Sequence, residues 1–538
     1  MIASPIVENQ QIPLPFGVLI DDQVFLNSID GDWYEVLMRF DWMKYRTHAA
    51  DYYNALYDFN KREPLKKDIV NSAELVEPRE SREEAKQRLL FDRVTAPIPS
   101  EPPPPILYQG QAVEPALQKT LPGDVAPGVV PARLVGRKPK CFFALLKAFV
   151  GASVMGYEPE PEAVDRLLKN NPSFAAICGF QPKPRNFASY SYKQIPAIRK
   201  VEQFDQIMTE AGIWDRIKLQ EVADNLRSGV IEMEEELVGD TTHYHAHSSF
   251  ETIVTQDEKG KDKKKSQSKL TKPCGCVDWD ACPHDWELRD DGAGTIVKSP
   301  RKMVWGHKAS VIGFPKQGIP LDAVAVADAA THDGQTFLPH IKKVLGQHAV
   351  LDGSIKRALY DSACCDAPLK QQFKEELGIE LKASFNPRRK KAITEGLPRG
   401  IDRITPHGNP ICLADHEMDY QGVRYAKERF IYGPPKDEEG VPFCVGCHHR
   451  GDCCNNNNQA GRTITVPFDA LKNIDPTDPP MAKRFKAIMT RRPSVERMIK
   501  RLKCDLGTDR LGKRGNDAFQ ATLDKTMISF HLLLRYLN

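Results

Sequence analysis

The chain has 538 residues, too many for one ordinary core, and 41% of them are hydrophobic, so about two to four packed domains are expected. With 75 basic against 72 acidic residues the net charge is only +3, which excludes a polyanion partner read from whole-chain charge and leaves that question to local distribution. No apolar run is long enough to cross a bilayer, since Cys141 to Tyr157 is short and carries Lys147, and MIASPIVENQ lacks the pattern of a secretory signal; a cytoplasmic protein without a membrane partner is expected.

Residues 1–96 begin with an aromatic-rich stretch and continue into a charged, helical one, Ser81 to Val94, and no chemistry can be assigned to them. From 97 to 132 prolines recur, with the run Pro102 to Pro105, as in a linker or extended arm. Regular pattern returns in 133–235. Cys141 to Val150, Pro161 to Lys169, Phe174 to Cys178 and Val201 to Glu210 carry helical spacing between Gly, Pro and Asn punctuation. Basic residues lie between these helices, among them Arg137, Lys138, Lys140, Lys183, Arg185, Arg199 and Lys200. A bundle of this kind could set a helix in a DNA groove, although solvated lysines read the same way.

The character changes at Glu236. ELVGD reads as a strand ending near Asp240, and 258–295 holds a charged low-complexity loop followed by a Cys/His cluster. Lys308 to Phe314 and Leu321 to Ala330 read as strands, Thr336 to Leu345 as a helix, Ile355 to Asp361 as a third apolar run closed by an acid, and Ile379 to Phe385 as a further strand. Alternating strands and helices over 236–400 predict an α/β core. A Cys-rich insertion, 401–461, interrupts it, and 462–538 completes it. RPSVERMIKRLK, Arg492 to Lys503, predicts a helix with Pro493 in its first turn. Its spacing would put Arg492, Glu496 and Lys503 on one stripe beside the apolar arc of Val495, Met498, Ile499 and Leu502.

Asp240 and Asp361 each close a short apolar strand, LVGD and ALYD, where functional groups of an open α/β sheet usually stand. Glu496 adds a third carboxylate from a late helix. Like charges converge at a cost unless they hold cations, and two Mg²⁺ (or Mn²⁺) ions held by such a set suit in-line displacement at phosphorus. Each aspartate alone also reads as an ordinary strand-end turn residue.

GDTTHY after one strand, ALYDSACC after another, and RRPSVERMIKRLK followed by DRLGKRG resemble the three acidic motifs of DDE transposases of bacterial insertion sequences. In that family the glutamate helix carries a tyrosine, an arginine, the glutamate and a lysine at fixed gaps; Arg492, Glu496 and Lys503 fit, while Met489 stands where the tyrosine is usual. Upstream, GRKPKCFFALLKAFVGASVMGYEPE and ICGFQP are similar to the family's helical N-terminal domain. The resemblance covers roughly 133–250 and 300–538. It implies a ribonuclease H-like catalytic fold, Asp240, Asp361 and Glu496 as catalytic metal ligands, and Arg492 and Lys503 near DNA phosphates. The basic character of Arg497, Lys500 and Arg501 suits a phosphate track independently of any family.

Of the 13 cysteines, three lie in Cys274 to Cys282 and five in Cys412 to Cys454, which suggests metal more than disulfides. Cys412, Cys444, Cys447 and Cys453 predict a four-thiolate structural zinc site, with Cys454, His448 and His449 as competing ligands, because the segment has little apolar material to hold it otherwise. Members of the resembled family often carry a Cys-rich insertion at this place. Cys274, Cys276, Cys282 and His284 form a possible second zinc site, in which C-x-C is a strained bite. His243, His245 and His247 alternate away from Asp240 and are poor ligands for the catalytic metals.

The function expected is a DNA transposase that cuts transposon ends and transfers 3′-hydroxyls into target DNA. Its partners would be double-stranded DNA, the terminal inverted repeats and a second copy or more in a synaptic complex, with the protein on the nucleoid when acting. The alternative is a non-catalytic zinc-containing DNA-binding protein derived from such an enzyme. A zinc hydrolase is disfavoured because all-thiolate sites are closed.

Overall fold

The structure is a computed structural model that describes residues 33–62, 139–180, 194–256, 262–271, 287–299, 302–384, 391–453, 461–471, 474–508 and 511–538. Its first helices, α1 (Trp33–Arg39) and α2 (Arg46–Arg62), are joined by a 3-10 turn that Asp41 caps by accepting from the Met43 N–H at 2.9 Å. Helix α3 (Phe142–Val154) is buried along its whole length, Lys147 and Ser153 included, as its mainly apolar sequence requires. α4 (Pro161–Asn170) and α5 (Pro172–Cys178) each open on a proline, where no intrahelical N–H is lost. Asn171 caps α5 by accepting from the Phe174 N–H at 3.0 Å, and α6 (Ile198–Glu210) and α7 (Ile213–Ser228) follow.

Strands then alternate with helices: β1 (Glu236–His245), β2 (Phe250–Gln256), β3 (Asp262–Ser268), β4 (Leu270–Thr271), β5 (Glu287–Leu288), β6 (Gly294–Ser299), β7 (Lys302–Phe314), β8 (Ile319–Ala325), α8 (Asp333–Gln347), β9 (Arg357–Tyr360), α9 (Ala367–Leu377) and β10 (Glu380–Ala383). The Cys-rich region adds β11 (Ile401–Ile404), β12 (Pro410–Cys412), β13 (Asp419–Arg424), β14 (Arg429–Gly433), α10 (Arg450–Cys453) and β15 (Ile464–Pro467). The chain ends with α11 (Lys483–Met489), α12 (Ser494–Lys500) and α13 (Asn516–Leu537). Among the described residues no helix is long and apolar enough to cross a membrane.

These elements form two compact units, the first from Met1–Glu234, Thr241–Asp352 and Val495–Asn538, the second from Glu235–Asp240 and Gly353–Ser494. In the first unit, residues 33–62 join the bundle expected downstream: Tyr53 Oη accepts from the Phe142 N–H at 3.0 Å, and Tyr52 packs on Phe142 and Phe204. α13 is central and carries buried polar groups. Its Lys525 ammonium lies 3.1 Å from Asp205, which also accepts from Trp214 Nε1 at 3.0 Å and from Lys513 at 2.6 Å. A second buried lysine, Lys218, pairs with Asp322 at 2.7 Å and Asp524 at 2.8 Å. The long strand β7 pairs antiparallel with β6 through its first half and with β8 through its second, and β1 lies beside it, with the Ala246 N–H bonded to the Trp305 carbonyl at 3.3 Å.

In the second unit the first residues of β1 pair in parallel with β9, and β9 pairs in parallel with β10. Beyond them, β13, β14 and β15 form an antiparallel sheet, and β11 pairs with β12. Ile401, Ile404, Met418, Phe430, Tyr432, Ile464, Val466, Leu471, Ile474 and Met481 are buried together there. The expectation that this region lacks apolar material is therefore corrected: it has a hydrophobic core of its own.

Candidate active site

The parallel pairing of β1 with β9 sets Glu236 opposite Arg357, Leu237 opposite Ala358 and Val238 opposite Leu359. Two positions beyond the last pair, Asp240 and Asp361 come level at the carboxyl ends of neighbouring strands. Adjacent strands run about 4.8 Å apart, so the two residues stand at neighbouring strand ends. Ala358, Leu359 and Tyr360 are all buried, the mark of a strand covered on both faces, which leaves the strand's end as the place where a polar side chain meets solvent.

Both aspartates are engaged. Arg492 Nη2 stands 2.5 Å from Asp240 Oδ2, and these side chains are 18% and 16% exposed. Asp361 Oδ1 accepts from the Ala363 N–H at 2.8 Å, capping the short 3-10 turn that leaves β9. Four residues before Asp240 on the same strand face, Glu236 is 2% exposed and held by Arg491, through Nε at 2.6 Å and Nη2 at 2.7 Å, and by Arg357 Nε at 2.8 Å. Consecutive arginines thus fasten the loop after α11 to β1 at two points. Sequence reasoning missed Glu236, Arg357 and Arg491. The signal was present in ELVGD and RALYD, where opposite charges precede the aspartates by the same interval.

The glutamate helix departs from its expected course. Arg492 lies in a turn, α12 covers only Ser494–Lys500, and Arg501–Asp505 is a π-helical segment. The wider winding breaks the 100° spacing on which Lys503 was aligned with Arg492 and Glu496. Arg501 is 1% exposed and donates to the Gly318 carbonyl at 3.2 Å, so it is removed from any phosphate track. Lys503 donates to the His243 carbonyl at 2.7 Å and lies 5.1 Å from the Tyr244 ring centroid. Glu496 and Lys500 are exposed and Arg497 is half-buried. Asp240 and His243 are on opposite faces of β1, and His245 and His247 are exposed.

Among the described residues, no group of three or more His, Cys, Asp or Glu side chains is gathered so as to hold a metal ion. Cys412, Cys444, Cys447 and Cys453 nevertheless line one cavity, together with His416, Arg450 and Arg462. Two glycines in the left-handed region make room for them. At Gly400 (φ +83) a Cβ would come 2.8 Å from Cys453 Sγ, and at Gly461 (φ +81) one would come 2.8 Å from Cys444 Sγ. The donor set suits zinc, and none of the four cysteines is in a disulfide. Cys274, Cys276, Cys282, His284, Arg137 and Lys138 lie outside the described residues.

No protein-family model matches the chain, and no curated protein matches it. Among solved structures, it is similar to the piggyBac transposase in a synaptic complex with hairpin DNA, at 10% identity and a TM-score of 0.31. The match covers 73% of this chain and 65% of that one, so it spans less than two thirds of the transposase chain. A superposition this loose fixes neither fold nor function.

Proposed function

We propose that this protein is a metal-dependent DNA phosphoryl transferase of the DDE transposase kind. The observation that carries the reading is that Asp240 and Asp361 each stand two residues beyond the last pair in the parallel register of β1 and β9. The antiparallel pairing of β8 with β7 and the parallel pairing of β1, β9 and β10 support a ribonuclease H-like core around them. Mg²⁺ takes few protein carboxylates and keeps several waters, so two adjacent aspartates fit its habits. Bound Mg²⁺ or Mn²⁺ ions would activate the attacking oxygen and stabilise the leaving one. The chain's part is to hold Asp240 and Asp361 side by side, with Arg492 as the countercharge of Asp240. Glu496 enters as the third ligand on its motif alone. DNA ends and target DNA are the proposed substrates, and Cys412, Cys444, Cys447 and Cys453 the proposed zinc ligands.

The test uses the purified chain and a plasmid carrying the DNA that flanks its coding sequence. Mg²⁺-dependent nicking is expected at the flanks. Asp240→Asn, Asp361→Asn and Glu496→Gln should each abolish it while DNA is still shifted on a gel; full cleavage by any of these variants removes that residue from the site. The Asp240–Arg492 ion pair favours a second reading, a non-catalytic zinc-containing DNA-binding protein in which an arginine has replaced the metal. That protein would shift the DNA and never nick it.

A further inference from the structure

The helix that leads into the acid pair has a cationic outer face to which sequence analysis gave no role. On α11 the buried residues are Phe485 and Ile488, while Lys483, Arg484, Lys486, Ala487 and Thr490 at its end are exposed. At 100° per residue, Lys483, Lys486 and Thr490 fall on one stripe opposite the buried pair, with Arg484 flanking it. None of the three cations forms an ion pair with a described residue. The acids nearest upstream are occupied: Asp475 accepts from the Thr477 hydroxyl at 2.6 Å, and Asp478 pairs with Lys382 at 2.7 Å. Within the same unit, the residues after α11 are Arg491, bound to Glu236, and Arg492, bound to Asp240. The helix is therefore tied, through the two arginines that follow it, to the strand that carries Asp240.

We infer that the exposed face of α11 is a docking track for the phosphodiester backbone of DNA, with Lys483, Arg484 and Lys486 neutralising phosphates on the strand that approaches Asp240 and Asp361. The inference rests on the reading of those aspartates as a phosphoryl-transfer site, and it supplies the surface on which the substrate lies. Seven residues of helix are roughly 10 Å long, about three nucleotide steps along one strand. Such contacts carry charge and no base preference, so the track would act on any sequence.

The experiment is fluorescence anisotropy of the full chain with a labelled duplex of arbitrary sequence, about 30 base pairs long, in chelator, over a series of salt concentrations. The triple variant K483A/R484A/K486A should bind about tenfold or more weakly at low salt, and its plot of log affinity against log salt should be shallower by about 2.7. The charge-keeping K483R/K486R should bind like the parent. If the triple variant melts early, K483Q/K486Q reads the same slope with two charges removed, and a change of about 1.8 is expected. An unchanged slope in the variants that lose charge overturns the track. Because binding is read without a divalent ion, an inert acid pair would appear as absent nicking with this slope change intact.

Discussion

Arg492 holds Asp240 through a 2.5 Å contact between Nη2 and Oδ2, with each side chain about four-fifths buried. A divalent ion at Asp240 must share or displace that guanidinium. Arg492→Ala should therefore lower stability in chelator by about 1–2 kcal/mol, the range of a charge-assisted bond that is partly solvated. Mg²⁺ should then raise the melting temperature of the variant more than that of the parent, since the competitor is gone. Equal shifts on titrating Mg²⁺ into both proteins would show that no ion binds at Asp240.

The buried carboxylate of Glu236 has two arginine partners, Arg357 and Arg491. Removing either leaves the other, so each single alanine variant should cost on the order of 1 kcal/mol. Removing both leaves an uncompensated buried charge and should cost about 3–5 kcal/mol. Urea midpoints of the two singles and the double make the measurement; simple additivity would mean that the two guanidiniums do not share one carboxylate.

In the Cys-rich region, metal analysis should find one zinc per chain, lost in Cys444→Ser or Cys453→Ser. Gly400→Ala should also weaken zinc retention, because its Cβ would press on Cys453 Sγ. Chelation should loosen the loop of Cys444 and Cys447 while amides of Phe430, Tyr432, Ile464 and Val466 stay protected from hydrogen exchange, since those residues are buried in a hydrophobic core against which only Cys412 of the four thiols packs. Loss of that protection on chelation would make zinc the element that folds the sheet.

Asp205 is fully buried. Desolvation pushes its carboxyl upward, but Lys525 and Lys513 outweigh it and hold the group below the usual aspartate range. An acid whose folded pKa is depressed contributes stability above its unfolded value, near about 4, and loses that contribution as pH falls through the folded value. Asp205→Asn should cost about 3–5 kcal/mol at neutral pH, because two lysines lose their partner. The gap between parent and variant in denaturant melts should stay constant from pH 7 to about 5 and narrow below about 4. A gap that widens in acid would assign the stabilisation elsewhere.

The aspartates were legible because each closes an apolar run short enough to be a strand, and β9 ends one residue before Asp361. Their register was not, since parallel pairing joins segments about 120 residues apart and leaves no local pattern. The fold of 401–481 escaped notice for another reason. Its apolar residues are scattered over short strands between prolines and glycines, and only the cysteines formed a visible cluster. Arg501 misled because a basic residue in an amphipathic run is ordinarily solvated; burying its guanidinium on the Gly318 carbonyl needs the change of winding at that point.

That change of winding, Arg501–Asp505, is equivalent to one surplus residue spliced into an ordinary helix. Five residues share the space of roughly four, so the segment is the natural place for a deletion. Excising one residue there would restore regular coiling and leave what precedes and follows the segment in its present phase. A homologue shortened by one residue at this point would keep both Glu496 and the chain after Asp505 where they are.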